Sequence, residues 1–178
     1  MVPPNCARIG KTGRPLRHVL TDCRIELADS GDAAAIAAMS RDLIEYGLHW
    51  RWAPGRVAAS IGDRATNVAV ARIGRRLCGF GIMKYRDLEA HLHLLAVHPS
   101  CQGKGVGAEL VGWLERSALT AGIGVVYVEA RSANSVARAF YRKLGYREFA
   151  QANGYYENSE DAVRLAKDLW LGRVGPDA

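Results

Sequence analysis

The sequence predicts an α/β fold with seven strands and four helices. Apolar runs rich in β-branched residues, such as residues 125–129 (VVYVE), alternate with segments whose apolar side chains recur at helical spacing. Midway along the chain, the strand-like residues 89–97 lead through a glycine-rich turn into a helix that begins at Val106. With 178 residues, 49% hydrophobic and 24% charged, the chain is long enough to bury one core, so we expect a single domain.

One strand and two helices are predicted in the first third of the chain. The strand covers residues 23–27, and Asp32 is expected to cap a helix that begins at Ala33. Pro54 has the fixed φ that suits the first turn of a helix, so a second helix is predicted to begin there.

The rest of the chain is predicted to add six strands and two helices. Residues 67–73 and 77–86 are β-rich and flank Gly74, which predicts a hairpin, and the strand at 89–97 follows. The helix from Val106 comes next. Beyond it, the predicted order is a buried strand at 125–129, a helix at 134–144 and two short strands at 146–151 and 162–167 around a polar loop that contains Asn153 and Gly154.

The turn at residues 102–108, QGKGVGA, is typical of a site for a phosphorylated ligand. Its glycines leave the backbone N–H groups open to an anion, and the following helix adds about half a positive charge at the same point. Lys104 adds a full charge. The spacing fits neither a P-loop, which needs Ser or Thr after Gly-Lys, nor the G-x-G-x-x-G fingerprint of dinucleotide-binding folds.

Two segments together resemble one enzyme family. Residues 102–107 (QGKGVG) resemble the Q/R-x-x-G-x-G/A pyrophosphate loop of the GNAT superfamily of acyl-CoA-dependent N-acyltransferases. Further along, residues 129–146 (EARSANSVARAFYRKLGY) resemble the second coenzyme A segment of that family. Asn134 and Tyr141 lie about two helical turns apart, so one ligand could touch both. Gly145 is placed to end their helix.

The resemblance implies a GNAT fold, with a mixed central sheet of about seven strands flanked by about four helices, over roughly residues 23–169. It implies one N-acetyltransferase domain at 23–178 after a basic arm at 1–22, with acetyl-CoA as co-substrate and no metal. Coenzyme contacts would come from Leu95, Ala96 and Val97 to the pantetheine arm, from Gln102, Gly103, Lys104, Gly105, Val106, Gly107 and Ala108 to the pyrophosphate, and from Asn134 in the second segment.

The resemblance also assigns the catalytic groups. Tyr141 stands where the family has its general acid, and a phenol with a reference pKa of ~10 is protonated at neutral pH. Glu129 ends the predicted central strand and corresponds to the carboxylate base of N-terminal acetyltransferases. Two alternatives stay open. Tyr141 could only pack against the neighbouring strand, and Glu129 could be a solvated residue, with His93 or water as the base.

Acceptor choice in this family lies in loops that here correspond to residues 46–52 and 154–160. Residues 129–134 and 155–162 resemble bacterial ribosomal-protein-alanine N-acetyltransferases, which favours a peptide N-terminal amine over a small-molecule amine. The resemblance is incomplete, because Leu165 stands where those enzymes usually have Met.

The residues of these loops also allow acceptors other than a peptide. Trp50 and Trp52 could form an aromatic wall for a small amine or cation, or could anchor their loop to the core. A polyamine or aminoglycoside would favour an acidic cleft, for which the candidate residues are Asp42, Glu45, Glu157 and Glu160.

Two function classes other than an enzyme share some of these sequence features. A non-catalytic acyl-CoA sensor would keep the coenzyme socket without turnover. The net charge of +6 could indicate nucleic-acid binding, but residues 1–24 carry +4 of it, and the arm holds few aromatic residues. A solvated arm is therefore favoured, and we expect no nucleic-acid partner.

The sequence also indicates the cellular compartment of the protein. No apolar run approaches the ~20 residues needed to cross a bilayer, and no secretory signal is recognisable, so we expect a cytoplasmic protein. His91 and His93 share a strand face but lack a third metal ligand. Family habit implies a homodimer. Reduced thiols are expected at the widely spaced cysteines Cys6, Cys23, Cys78 and Cys101.

Overall fold

A computed structural model describes residues 23–157 and 160–171, so the basic arm predicted at 1–22 lies outside the described residues. Within the described ranges, the predicted seven strands and four helices are confirmed. The strands are β1 (Cys23–Leu27), β2 (Thr66–Ile73), β3 (Arg76–Arg86), β4 (Glu89–Val97), β5 (Val125–Arg131), β6 (Arg147–Tyr156) and β7 (Glu160–Asp168). The helices are α1 (Ala33–Leu43), α2 (Pro54–Gly62), α3 (Val106–Thr120) and α4 (Ser135–Lys143).

The strands form one mixed sheet in the order β1-β2-β3-β4-β5-β7-β6. Neighbouring strands run antiparallel except β4 and β5, which are parallel and pair only from Glu89 opposite Val125 to Leu92 opposite Val128. Beyond that point β4 stays paired with β3 and β5 stays paired with β7. The sheet therefore opens into a wedge after Leu92.

Two apolar clusters cover the two faces of the sheet. Side chains alternate along β2, so Val70 packs with Ile36 of α1 on one face, whereas Ala69 packs with Leu110 of α3 on the other. All four are fully buried. Burying a large apolar side chain contributes about 1.5–3 kcal/mol, so the two clusters hold the helices against the sheet. No helix in the described part of the chain is long and apolar enough to cross a bilayer.

The start of α1 differs in part from the prediction. Asp32 is the N-cap residue of α1, as predicted, but its side chain makes no capping bond to that helix. Asp29 caps a 3₁₀ turn at Ser30–Asp32 instead, because its carboxylate accepts from the Gly31 N–H at 2.7 Å. Asp32 pairs with Arg72 on β2, a contact between residues distant in sequence that local pattern does not show.

The last two strands are longer than predicted. The segment around Asn153 and Gly154 is part of β6, and Tyr156 pairs with Glu160 at the end of the hairpin. The pairing register shifts between Ala152 and Tyr156, and Gly154 has a φ of 61°. The polar residues predicted to form a loop therefore lie in a β-bulge of β6.

Candidate active site

A cavity of about 700 Å³ opens where β4 and β5 separate. β4 and β5 form its floor. One wall is the segment between α1 and α2, and the other is the end of the β6–β7 hairpin. Glu129 of β5 and Tyr141 of α4 both line the cavity, so the structure brings together the two residues predicted to be catalytic.

The glycine turn forms the N-terminus of α3, as predicted. Gly103 and Gly105 have φ values of 73° and 89°, which glycine adopts at little cost, and Gly105 is the N-cap. Glu109 donates its N–H to the Gly105 carbonyl. The amides of residues 106–108 therefore precede the first full helical bond and point toward an incoming anion.

Gly107 serves a different purpose. A Cβ added there would meet the Phe140 ring at 3.3 Å, because α3 passes close to α4. The glycine at 107 therefore lets the two coenzyme segments of the sequence approach each other.

The longer side chains of the turn bond to its own backbone. Gln102 donates from Nε2 to the Val97 carbonyl at 2.9 Å, and Lys104 donates from Nζ to the Ser100 carbonyl at 2.9 Å. Beneath the turn, the free thiols of Cys78 and Cys101 are buried with their Sγ atoms 2.8 Å apart. These contacts tie the turn to the end of β4.

The last residues of β4 lie on the open side of the wedge. Leu95, Ala96 and Val97 pair with β3, and in the described residues no strand pairs with their other edge. Leu95 lines the cavity, whereas the Ala96 side chain is buried in the core. The unpaired edge is free to pair with an extended, amide-containing ligand.

Tyr141 is buried but still lines the cavity. Its side chain packs edge-on against Tyr146, with ring centroids 5.4 Å apart, and only 6% of the residue is exposed. Burial raises the pKa of the Tyr141 phenol far above its ordinary value. The phenol therefore stays protonated at any pH at which the protein would work.

Asn134 also lines the cavity, although not from within a helix. The predicted helix began at Asn134, but α4 begins at Ser135, and Asn134 caps it by accepting from the Ala137 N–H at 2.9 Å. Gly145 has a φ of 92° just past the end of α4, as predicted. The capping bond fixes the Asn134 side chain at the cavity wall.

Glu129 is held by basic side chains on two sides. Its carboxylate contacts Nε2 of His91 on β4 and lies 3.6 Å from Nε of Arg164 on β7. Only 11% of the Glu129 side chain is exposed. The alternative that Glu129 is a solvated strand-end residue is therefore wrong.

His93 continues this row of side chains toward the cavity mouth. Its ring stacks on the His91 ring with centroids 4.6 Å apart and lies 6.1 Å from the Trp52 ring. Desolvation by the surrounding protein, followed by the nearby His91, lowers the pKa of His93 below its ordinary value. His93 is exposed at the cavity, and its lowered pKa favours a neutral ring.

The segment between α1 and α2 is fixed from below by Glu45. This buried carboxylate accepts from the N–H groups of Arg51 at 2.7 Å and Trp52 at 3.2 Å, and from the Ser40 hydroxyl at 3.0 Å. His49 donates its N–H to Glu157 at 2.9 Å, which ties the segment to the opposite wall. The acceptor end of the cavity is therefore prearranged.

Arg131 holds the other end of the same segment. Its guanidinium donates to the carbonyls of Ile44 and Tyr46, each at 3.0 Å, and pairs with Glu160. The sequence motifs did not indicate this role for Arg131. Its position two residues after Glu129, on the same face of β5, is the signal that could have indicated one.

Of the four residues considered for an acidic cleft, only Glu45 and Glu157 line the cavity. Asp42 pairs with its exposed neighbour Arg41 and does not line the cavity, and Glu160 is paired with Arg131. Of the two tryptophans, Trp52 lines the cavity, whereas Trp50 packs against an apolar cluster. Among the described residues, no group of three or more His, Cys, Asp or Glu side chains could hold a metal ion.

Comparison with known proteins agrees with the resemblance. A model of the acetyltransferase (GNAT) family matches residues 34–146. The ribosomal protein bS18-alanine N-acetyltransferase of Escherichia coli K12 is 30% identical over 127 residues, which cover 69% of this chain and 85% of that protein. The uncharacterized N-acetyltransferase MJ1530 of Methanocaldococcus jannaschii is 34% identical over 99 residues, covering 55% of this chain and 64% of that protein. This chain thus spans less than two thirds of MJ1530.

Solved structures share the fold. The Salmonella typhimurium protein yncA, solved with its cofactor acetyl-CoA, superposes with a TM-score of 0.73 at 22% identity, covering 89% of this chain and 99% of that chain. The wedge in the sheet, the glycine turn and the family match agree with one another. This chain belongs to the GNAT family and is an N-acetyltransferase.

Proposed function

We propose that this protein transfers the acetyl group of acetyl-CoA to the N-terminal α-amine of a peptide or protein. One observation carries the proposal. β4 and β5 separate after Leu92, and the cavity that opens there is lined by Glu129 and Tyr141. A thioester in the wedge would therefore lie between a carboxylate and a protonated phenol.

The coenzyme would bind along β4 and the turn that follows it. The amides of residues 103–108 and the dipole of α3 would hold the pyrophosphate. The pantetheine arm would pair with the open edge of residues 95–97, and Asn134 would contact it from its position just before α4. This arrangement points the acetyl group from the turn into the wedge.

Glu129 would act as the base. An α-amine has a reference pKa of ~8, so much of the acceptor arrives as ammonium at neutral pH. The carboxylate attracts the ammonium and takes one of its protons, directly or through the neutral ring of His93. The lone pair freed on the nitrogen then attacks the thioester carbonyl carbon.

Tyr141 would act as the acid. Attack forms the carbon–nitrogen bond, and collapse of the tetrahedral intermediate breaks the carbon–sulfur bond, so the sulfur leaves with the electron pair. The phenol donates its proton to that sulfur, and the nitrogen, which is cationic after the attack, loses its second proton to solvent. Glu129 then releases its proton to solvent, and Tyr141 is reprotonated from it. Coenzyme A leaves as a thiol, and the acceptor leaves as an amide.

Four observations favour an enzyme, and two of them favour peptides as acceptors. Family membership and the convergence of Glu129 and Tyr141 on one cavity favour catalysis over a sensor. The relative from Escherichia coli is named for acetylating the alanine of ribosomal protein bS18. The cavity is bounded by two loop walls and opens outward, which suits the end of a chain.

Release of coenzyme A tests the proposal. Acetyl-CoA is mixed with peptides that begin with Ala, Ser or Gly, with the same peptides blocked at the N-terminus, and with small amines, and the free thiol is measured. Free peptides are expected to release thiol, whereas blocked ones are not. Tight coenzyme binding without release for any amine would contradict the proposal.

A further inference from the structure

Two guanidinium groups line the acceptor end of the cavity without a carboxylate partner. Arg51 and Arg56 both lie in the cavity wall and are exposed to it. Within residues 23–157 and 160–171, neither forms an ion pair, although other arginines of the same region do. The Arg56 guanidinium stacks on the Trp52 ring, 4.2 Å from its centroid, which orients it without neutralising its charge.

The carboxylates of the cavity are already committed. Glu45 accepts from three protein donors, Glu129 contacts His91 and Arg164, and Glu157 accepts from the His49 backbone. The carboxylates of the wall thus accept from protein donors, whereas among the described residues neither guanidinium has a hydrogen-bond acceptor or an ion-pair partner. An acceptor that supplies an amine alone would leave both arginines unpaired.

A row of contacts gives an upper limit on the distance between the Arg56 guanidinium and the proposed base Glu129. Arg56 stacks on Trp52 at 4.2 Å, the Trp52 and His93 rings are 6.1 Å apart, and the His93 and His91 rings are 4.6 Å apart. His91 contacts Glu129. An extended peptide advances about 3.3–3.6 Å per residue, so the side chain of its second or third residue could reach Arg56 while its amine lies at Glu129.

Resting on the proposed function, we propose that the acceptor is a peptide whose second or third residue is acidic, with its carboxylate held by Arg56 and Arg51. Guanidinium groups bind carboxylates with parallel, charge-assisted hydrogen bonds, which gives them geometric selectivity. The fixed backbone at Glu45 keeps Arg51 at the wall before the peptide arrives. The same wall disfavours polyamines and lysine-rich peptides, because like charges would meet there.

Matched peptides test this proposal. Three peptides differ only at the second and third residues, which are both Asp, both Asn or both Lys, behind an N-terminal Ala, and free aspartate serves as a small acceptor. The ratio kcat/KM is measured from coenzyme A release. The wild-type protein is expected to prefer the Asp peptide over the Asn peptide by about tenfold, and over the Lys peptide by more.

Variants test whether the two arginines cause the preference for the Asp peptide. The double variant Arg51→Gln, Arg56→Gln is expected to reduce the Asp-over-Asn ratio to about twofold. Arg64→Gln, which removes an exposed arginine outside the cavity, should keep the wild-type ratio. Thermal unfolding of each variant shows that the change is not a loss of folding.

The outcomes separate this inference from the proposed function. Equal rates with the Asp and Asn peptides, faster reaction with the Lys peptide, or faster reaction with free aspartate than with any peptide would overturn the acidic-peptide proposal and leave the transferase intact. No coenzyme release with any acceptor would overturn both. An unchanged ratio in the double variant would also overturn the assignment to Arg51 and Arg56.

Discussion

His91 on β4 contacts the carboxylate of Glu129 on β5 just where the two strands part. An ionised carboxylate only accepts hydrogen bonds, so Nε2 of His91 must carry the proton in this contact. The pair therefore aims Glu129 into the wedge. His91 is a positioning residue, because it acts through Glu129.

Replacing His91 should lower turnover without changing coenzyme binding. We expect His91→Ala to reduce kcat by about tenfold, with the KM for acetyl-CoA unchanged, since the base loses its fixed orientation. His91→Gln keeps an N–H donor and should restore most of the rate. Equal losses in the two variants, or a raised KM for acetyl-CoA, would show that His91 does not position the base.

Removing the Tyr141 hydroxyl tests the proposed acid. Tyr141→Phe keeps the buried ring, so we expect the protein to fold normally and to bind acetyl-CoA as before. Without a proton donor for the leaving sulfur, kcat should fall by about 10²-fold or more. Single-turnover measurements would check this, and an unaltered chemical step would remove Tyr141 from the mechanism.

A side chain at position 105 should weaken coenzyme binding, and not only strain the backbone. Gly105 has a φ of 89°, and a Cβ added there meets no protein atom within 4 Å, so Gly105→Ala places a methyl group where the pyrophosphate is proposed to bind. We expect the KM for acetyl-CoA to rise by about tenfold.

Gly74 provides the matched control for this substitution. It lies in the β2–β3 turn with a φ of 58° and equally open surroundings, so Gly74→Ala imposes similar backbone strain of about 1 kcal/mol. Its KM for acetyl-CoA should stay at the wild-type value. If both substitutions raise the KM alike, strain rather than lost ligand space would explain the effect.

The buried carboxylate of Glu45 should support both stability and acceptor binding. Glu45→Gln replaces one acceptor oxygen by an NH₂ group that faces other donors, so we expect the free energy of unfolding to fall by about 2 kcal/mol. The KM for the peptide should rise, whereas the KM for acetyl-CoA should not.

Asp42→Asn serves as the control for Glu45→Gln. Asp42 is exposed and pairs only with its exposed neighbour Arg41, so its loss should change the free energy of unfolding by less than about 0.5 kcal/mol. Denaturant titration and peptide kinetics measure both variants. A fully stable Glu45→Gln protein with wild-type peptide kinetics would contradict the anchoring role.

The lowered pKa of His93 predicts an acid-dependent loss of stability. The unfolded chain takes up a proton on this residue near its reference pKa of ~6.5, whereas the folded protein takes it up only at lower pH. Between these values the unfolded state binds more protons, so the free energy of unfolding falls as the pH falls. His91, Glu129, Arg56 and Lys84 are the charged groups that act on the ring.

A His93→Gln variant isolates that contribution. Its free energy of unfolding, followed by urea titration from pH 7 to pH 5, should decline less than that of the wild-type protein, because no ring remains to be charged. Parallel declines in the two proteins would show that His93 titrates normally in the folded state.

The sequence predicted the parts of the site that depend on local pattern. The glycine turn, the start of α3 at Val106 and the end of α4 before Gly145 follow from spacing and from backbone preferences that neighbouring residues set. The wedge does not follow from local pattern, because the separation of β4 and β5 depends on pairing between distant segments.

The contacts that the sequence did not show join residues far apart in the chain. From the sequence, Glu45 was a candidate for an acidic cleft. In the structure it is buried beneath Arg51 and Trp52, because the chain folds back over it after α1. Asp32 reads as a cap, but Arg72 on a neighbouring strand pairs with it. In both cases the role of the carboxylate depends on contacts that local sequence pattern does not show.

A crystal structure of the protein with bound coenzyme A tests the central claim most directly. The account predicts that the pyrophosphate lies within hydrogen-bonding distance, ~3 Å, of the amides of residues 103–108. It also predicts that the sulfur lies in the wedge beside the Tyr141 hydroxyl. A coenzyme bound elsewhere, with the turn empty and its sulfur remote from Tyr141, would contradict it.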